Sequence, residues 1–168
     1  MTVKTLEDLF LHSLSDMHSA EKQLTKALPK LAKASSDQEL ANAFTTHLQE
    51  TEGQVERIER AAELLDLKLK RIKCKGMEGL VEEGAEVIEK IAAGPVRDAG
   101  LIGAAQKAEH YEIASYGTLC ALGRQLGYTD AVELLEATLQ EEKDTDQILT
   151  RLAEGETNQE AAEQSRAA

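Results

Sequence analysis

Glu21, Glu50, Glu109, Glu112 and Glu142 all fall on the apolar stripes of amphipathic helical patterns. A carboxylate taken out of water is costly unless positive charge or hydrogen-bond donors meet it. Several of them in one core therefore point to bound cations. His47 stands three residues before Glu50, and Glu109 stands three before Glu112, a spacing that puts each pair on one helical face. Oxygen-rich donors with one or two nitrogens suit iron(II), manganese(II) or magnesium. Two divalent ions would neutralise four of these carboxylates and remove the burial penalty.

Other side chains stand near this set. Gln54 and Asp146 each lie four residues after a glutamate of the set, where they could complete a shell or hydrogen-bond to it. Tyr116 reads as a core residue whose hydroxyl can reach the same layer. His47 reads equally as a ligand and as a hydrogen-bonded core histidine. His18 and His110 flank Glu21 and Glu109 and read as outer or surface residues. Glu141 competes with Glu142, because 134-138-141-145-148-152 makes a passable seam; Leu135, Leu139 and Leu149 favour Glu142.

Four long helices must position these groups. The first runs from about Thr5 to about Ala34, with the stripe Phe10, Leu14, Met17, Glu21, Leu24, Leu28 and Leu31. Ser36 followed by Glu39 has the spacing of a capping box and opens the second. The second stripe reads Leu40, Ala43, His47, Glu50, Gln54, Ile58, Ala61 and Leu65. Residues 66–75 are charged and broken, and Met77, Leu80, Gly84, Val87 and Ile91 mark a shorter helix. Gly94-Pro95 starts the next long one, with Ile102, Ala105, Glu109, Glu112, Tyr116, Leu119 and Gly123 as its stripe. Gly127 ends it. Thr129 is a fair N-cap for the last, whose stripe is Val132, Leu135, Leu139, Glu142, Asp146 and Leu149.

Helix geometry brings the acids to one height. With the first turn at Ser35, Glu21 lies fourteen residues before it and Glu50 fifteen after. With the second at Tyr128, Glu112 lies sixteen before and Glu142 fourteen after. At about 1.5 Å of rise per residue, each pair is level within about 3 Å. The result is an all-α chain: two antiparallel helix hairpins joined by a long crossover that carries a short fifth helix. A four-helix bundle with one long crossover has the ferritin-like topology. Residues 1–155 form this single domain. Residues 156–168, rich in Ala, Glu, Gln and Ser, read as a polar, disordered tail.

Composition narrows the function. A net charge of −12 excludes the basic surface that nucleic acid needs, and Lys68 to Lys73 is the one basic cluster. Cys74 and Cys120 are too few and too scattered for a disulfide framework or a zinc site. No run approaches a membrane span or a signal sequence, so a cytoplasmic location is expected.

Four words carry a family likeness: DMHSAEKQL at 16–24, HLQET at 47–51 running on to Gln54, EHYEIASYG at 109–117, and EEK at 141–143 with Asp146. Over residues 3–155 they resemble the YciF/YciE family of bacterial stress-associated proteins in the ferritin-like superfamily. The resemblance implies a homodimer with a di-iron site held by Glu21, Glu50, Glu112 and one of Glu141 or Glu142, with Glu109 as an additional or switching carboxylate. Glu109-x-x-Glu112 is also similar to the paired glutamates of rubrerythrins, which reduce peroxide at a di-iron centre. The chain departs from that pattern. Its second helix reads His-x-x-Glu, its fourth has no histidine, and it has no cysteine-rich segment to deliver electrons. Iron is expected ahead of manganese, and any oxidase or peroxidase chemistry toward dioxygen or peroxide needs an external electron donor. The alternative is a homodimer without chemistry that holds metal or, metal-free, serves as an interaction protein.

Overall fold

The computed structural model describes residues 3–167, and every regular element among them is helical. The elements are α1 (Leu6–Ala34), α2 (Gln38–Leu64), α3 (Lys75–Lys90), α4 (Pro95–Leu126), α5 (Thr129–Leu152) and α6 (Asn158–Ala167), with a kink at Ala153–Thr157, where Gly155 leaves helical geometry, before the last. No helix among the described residues is long and apolar enough to cross a membrane.

The first hairpin follows from local chemistry. Thr5 caps α1: its hydroxyl accepts from the Asp8 N–H at 3.1 Å, while Asp8 accepts from the Thr5 N–H at 3.3 Å. Pro29 sits inside α1, which continues to Ala34. The cap of α2 is Asp37, not Ser36 as the spacing suggested. Its carboxylate accepts from the N–H groups of Glu39 and Leu40. Tertiary structure explains the shift. Asp98, buried in the first turn of α4, accepts the Ser36 N–H at 2.9 Å and the Asp37 N–H at 2.8 Å, which fixes the turn and leaves Asp37 free to cap.

That contact also sets the topology, because α4 starts beside the α1–α2 turn. Its far end returns to the start of α1, where the Tyr128 ring meets the Phe10 ring edge-on at 5.3 Å. Gly127 closes α4 with φ +75°, a conformation glycine adopts without strain. Tyr128, one residue earlier than expected, precedes α5 without a side-chain cap. Around the bundle α1 adjoins α2 and α4, while α5 adjoins α2 and α4, so neighbouring helices run antiparallel. This is the ferritin-like arrangement.

The crossover travels the length of α1. Ser15, Ser19 and Gln23, one per helical turn, bond to it in sequence. The Ser15 hydroxyl accepts from the Lys70 N–H, the Ser19 hydroxyl accepts from the Cys74 N–H, and the Gln23 amide donates to the Cys74 carbonyl. Helix α3 then lies over the seam between α1 and α4. With α1, α3, α5 and α6 around it, α4 is buried on several faces, and Ala104, Ala105 and Ala108 let neighbours approach.

The tail differs from the polar, disordered segment read from composition. Asn158–Ala167 forms a helix against α4, although it has no apolar stripe. It is anchored at its entry, where Thr157 is buried, and the Gln164 side chain lies against Gly94.

Candidate metal centre

Midway along the bundle the core turns polar. Glu21 from α1, His47 and Gln54 from α2, Glu109 and Glu112 from α4, and Glu142 from α5 are all buried. Donor atoms of His47, Glu109, Glu112 and Glu142 lie within 4.8 Å of one another, a grouping that could hold a metal ion. The His47 Nε2 atom stands 3.2 Å from Glu109 and 3.8 Å from Glu142.

The oxygens of this layer are short of partners. Both oxygens of Glu112, one each of Glu21, Glu109 and Glu142, and His47 Nε2 are buried without a hydrogen bond. Buried polar atoms in a native core almost always have a partner. Such a set fits a divalent cation, since carboxylate oxygens with one imidazole nitrogen are iron or manganese donors. The residues present therefore fit a divalent cation of the kind the sequence implied.

The groups that are satisfied shape the cage. The Tyr116 hydroxyl donates to Glu21, and the Gln54 amide donates to Glu142. Gln54 also reaches Glu141 at 3.0 Å. Arg57 clamps Glu141 with two bonds of 2.6 Å and donates to Thr138 at 3.1 Å. Electrostatics record the crowding of acids. Burial pushes Glu21 up to about 7, against the pull of the Tyr116 hydroxyl and the His47 charge. Glu112 rises well above the carboxylate range through burial and then through Glu142, Glu21 and Glu109. Glu142 rises through burial and then Glu109. Burial works to lower His47, but Glu109, Glu50 and Glu142 outweigh it and hold the imidazole well above its ordinary value. Tyr116 is raised by burial and by Glu21.

Glu21, Glu109, Glu112 and Glu142 thus meet in one layer with His47. Glu50 flanks it: its side chain is 36% exposed, with its carboxylate 3.5 Å from His47 Nδ1 and 3.5 Å from the Thr145 hydroxyl. Of the two neighbours on α5, Glu142 faces the core and Glu141 faces Arg57. Asp146 lies apart, accepting from Gln106 at 3.1 Å and standing 3.3 Å from His110. His18 bonds Glu59 at the surface. The sequence stripes left out Thr51 and Arg57, and they carried Thr138 and Thr145 only on the alternative seam of α5. Arg57, one turn after Gln54 and level with the acids of α5, was the one detectable signal.

The chain is similar to known proteins along nearly its whole length. The chain is 59% identical over 162 residues to Protein YciF of Escherichia coli (strain K12), covering 96% of this chain and 98% of that one. The crystal structure of the E. coli stress protein YciF superposes with a TM-score of 0.90 at 60% identity, over 92% of this chain and 98% of that one. YcfI from Rhodopseudomonas palustris superposes at 0.85 with 41% identity, over 88% and 94%. A Xanthomonas campestris protein at 21% identity and a TM-score of 0.71, over 89% and 92%, shares the fold. The family model described as "Domain of unknown function (DUF892)" matches residues 5–162. With that match and the full-length relative together, the chain belongs to the YciF-like DUF892 family.

Proposed function

We propose that this protein holds two divalent metal ions, iron ahead of manganese, in the carboxylate layer of its bundle and serves there in a stress response. The observation that carries this reading is the set of buried, unpartnered oxygens on Glu21, Glu109, Glu112 and Glu142 around His47. The stress role rests on the description of the E. coli relative as a stress protein.

His47, Glu109, Glu112 and Glu142 would hold one ion, and Glu21 beside Glu112 would supply oxygens to the second, toward which Glu50 would have to turn from the flank. Bound there, iron would supply the electrons and open coordination needed to reduce dioxygen or peroxide. The chain's own residues set the conditions. Tyr116, raised above its ordinary value by burial and by Glu21, keeps its proton and holds Glu21 in place by donating a hydrogen bond to it. Gln54 fixes the rotamer of Glu142, and Arg57 holds Glu141 out of the layer. Thr145 and Glu50 face His47 Nδ1 and so orient Nε2 toward the acids. The centre works in a homodimer, in the cytoplasm, with an external electron donor.

Elemental analysis tests the reading. The protein is purified without a histidine tag and reconstituted anaerobically with iron(II) or manganese(II). Two metals per chain, lost in Glu112→Ala, are expected. Background metal in both conditions would leave a carboxylate-lined interaction protein instead.

A further inference from the structure

Under α3 lies a cavity that ends on the carboxylate layer. Leu24, Leu28 and Leu31 of α1 form one wall, Ala105 and Ala108 of α4 the other, and Met77, Leu80, Val81 and Gly84 of α3 the roof. Its single charged lining residue is Glu109, which is 2% exposed and has one oxygen without a partner. The centre of a water-sized molecule has about 30 Å³ in which to move. Roughly 10–15 Å³ is enough to hold one water, so the space admits a molecule of about two heavy atoms. Water would find one polar partner there instead of the two to four it needs. A small apolar molecule loses nothing by leaving solvent for such a wall.

We infer that this cavity is a binding pocket for dioxygen, which delivers it to Glu109 and the metal layer; the inference rests on the reading of that layer as a redox centre. Gly84 keeps the pocket open. It lies on the buried face of α3, between Val81 and Val87, where any larger side chain would stand in the cavity. A Cβ built on Gly84 meets only Leu31, at an ordinary 3.7 Å, so backbone fit does not demand a glycine there. Within a helix glycine is the poorer choice than alanine, and at this position its missing side chain leaves the cavity open. The pocket is lined by α1, α3 and α4, whereas the half-exposed Glu50 stands on α2 against Thr145 of α5, on another face of the layer. A polar oxidant therefore has a different approach from an apolar one.

The experiment has two arms. In the first, crystals of the metal-free protein are placed under xenon pressure, since apolar cavities of this kind take xenon. A xenon peak beside Glu109 is expected in the wild type, weaker in Gly84→Ala and gone in Gly84→Leu. No peak in the wild type, or a full peak in Gly84→Leu, overturns the pocket. In the second arm the iron(II)-loaded protein consumes dissolved dioxygen. Two iron(II) ions give two electrons, which with two protons from solvent convert dioxygen to hydrogen peroxide. Gly84→Leu should keep its metal content and lose this rate severalfold, while its oxidation by added peroxide stays unchanged. An unchanged dioxygen rate in a variant that has lost xenon overturns the delivery role. Should Gly84→Leu not fold, Gly84→Ala decides both arms by the same comparison. A wild type that takes up no metal sinks the redox reading and the delivery role with it, while the xenon arm still decides the pocket.

Discussion

Proton and metal compete for the same oxygens, and the direction of each shift says how. Glu21 has an ordinary value of 4.5 and is lifted to about 7 by burial. The folded chain thus holds this proton more tightly than the unfolded one. The stability that protonation adds is complete below about pH 4.5 and is lost as pH rises through about 7. Glu112 and Glu142 are raised for the same first reason and act with the same sign. His47, raised as well, loses its stabilising proton on the same upward sweep. Metal-free protein should therefore melt at a lower temperature at about pH 8 than at about pH 5. Saturating metal should remove that loss, because ions replace the protons and bind only the folded chain. Thermal unfolding followed by circular dichroism, with chelator and with metal, measures both; a metal-free Tm that climbs with pH contradicts the cage. Glu50 is the second test at this scale. As it stands on the flank, Glu50→Ala should drop metal content from two ions toward one, where Glu112→Ala loses both.

The stripes of α1 and α4 were legible because each step of three or four lands on a side chain that the core takes whole, from Phe10 to Leu31 and from Ile102 to Gly123. On α2 and α5 the same arithmetic left a choice of one residue at several steps. Ala43 and Glu50 were read inward on α2, whereas Phe44 and Thr51 are the buried neighbours. On α5, Leu139 and Asp146 were read inward, whereas Thr138 and Thr145 are buried. Hydropathy misjudges these threonines because their hydroxyls are satisfied inside. Thr51 donates to the His47 carbonyl at 2.8 Å, and Thr138 accepts from Arg57. The one-residue slip on α2 moves Glu50 to the edge, which is why level height along the helix did not guarantee a common face. The cap of α2 was missed for another reason: Asp98, more than sixty residues away, fixes the turn. Asp98→Ala leaves two turn N–H groups without their charged acceptor and should destabilise the fold by about 2–4 kcal/mol. Urea denaturation reads this. A cost below about 0.5 kcal/mol, as for an ordinary surface change, would mean that the turn holds without it.

At the scale of the molecule, the bundle concentrates acid inside and out. The chain carries −12 at neutral pH, while the groups of the layer are crowded enough to keep protons that the surface carboxylates give up. These two populations do different work. The exterior acids raise the concentration of cations around the protein, an effect that acts on encounter and fades within a Debye length of about 10 Å at 0.1 M salt. The interior acids act at contact, where buried groups are screened far less. Salt should therefore separate rate from affinity. Raising ionic strength from about 0.01 M to about 0.3 M, which shortens the Debye length severalfold, should slow manganese(II) uptake severalfold and leave the final occupancy near its low-salt value. Stopped-flow mixing with a competing fluorescent chelator follows the rate, and elemental analysis follows the occupancy. Occupancy that collapses together with the rate would locate the bound ions on the exposed acids instead, because only there does screening reach the binding energy itself.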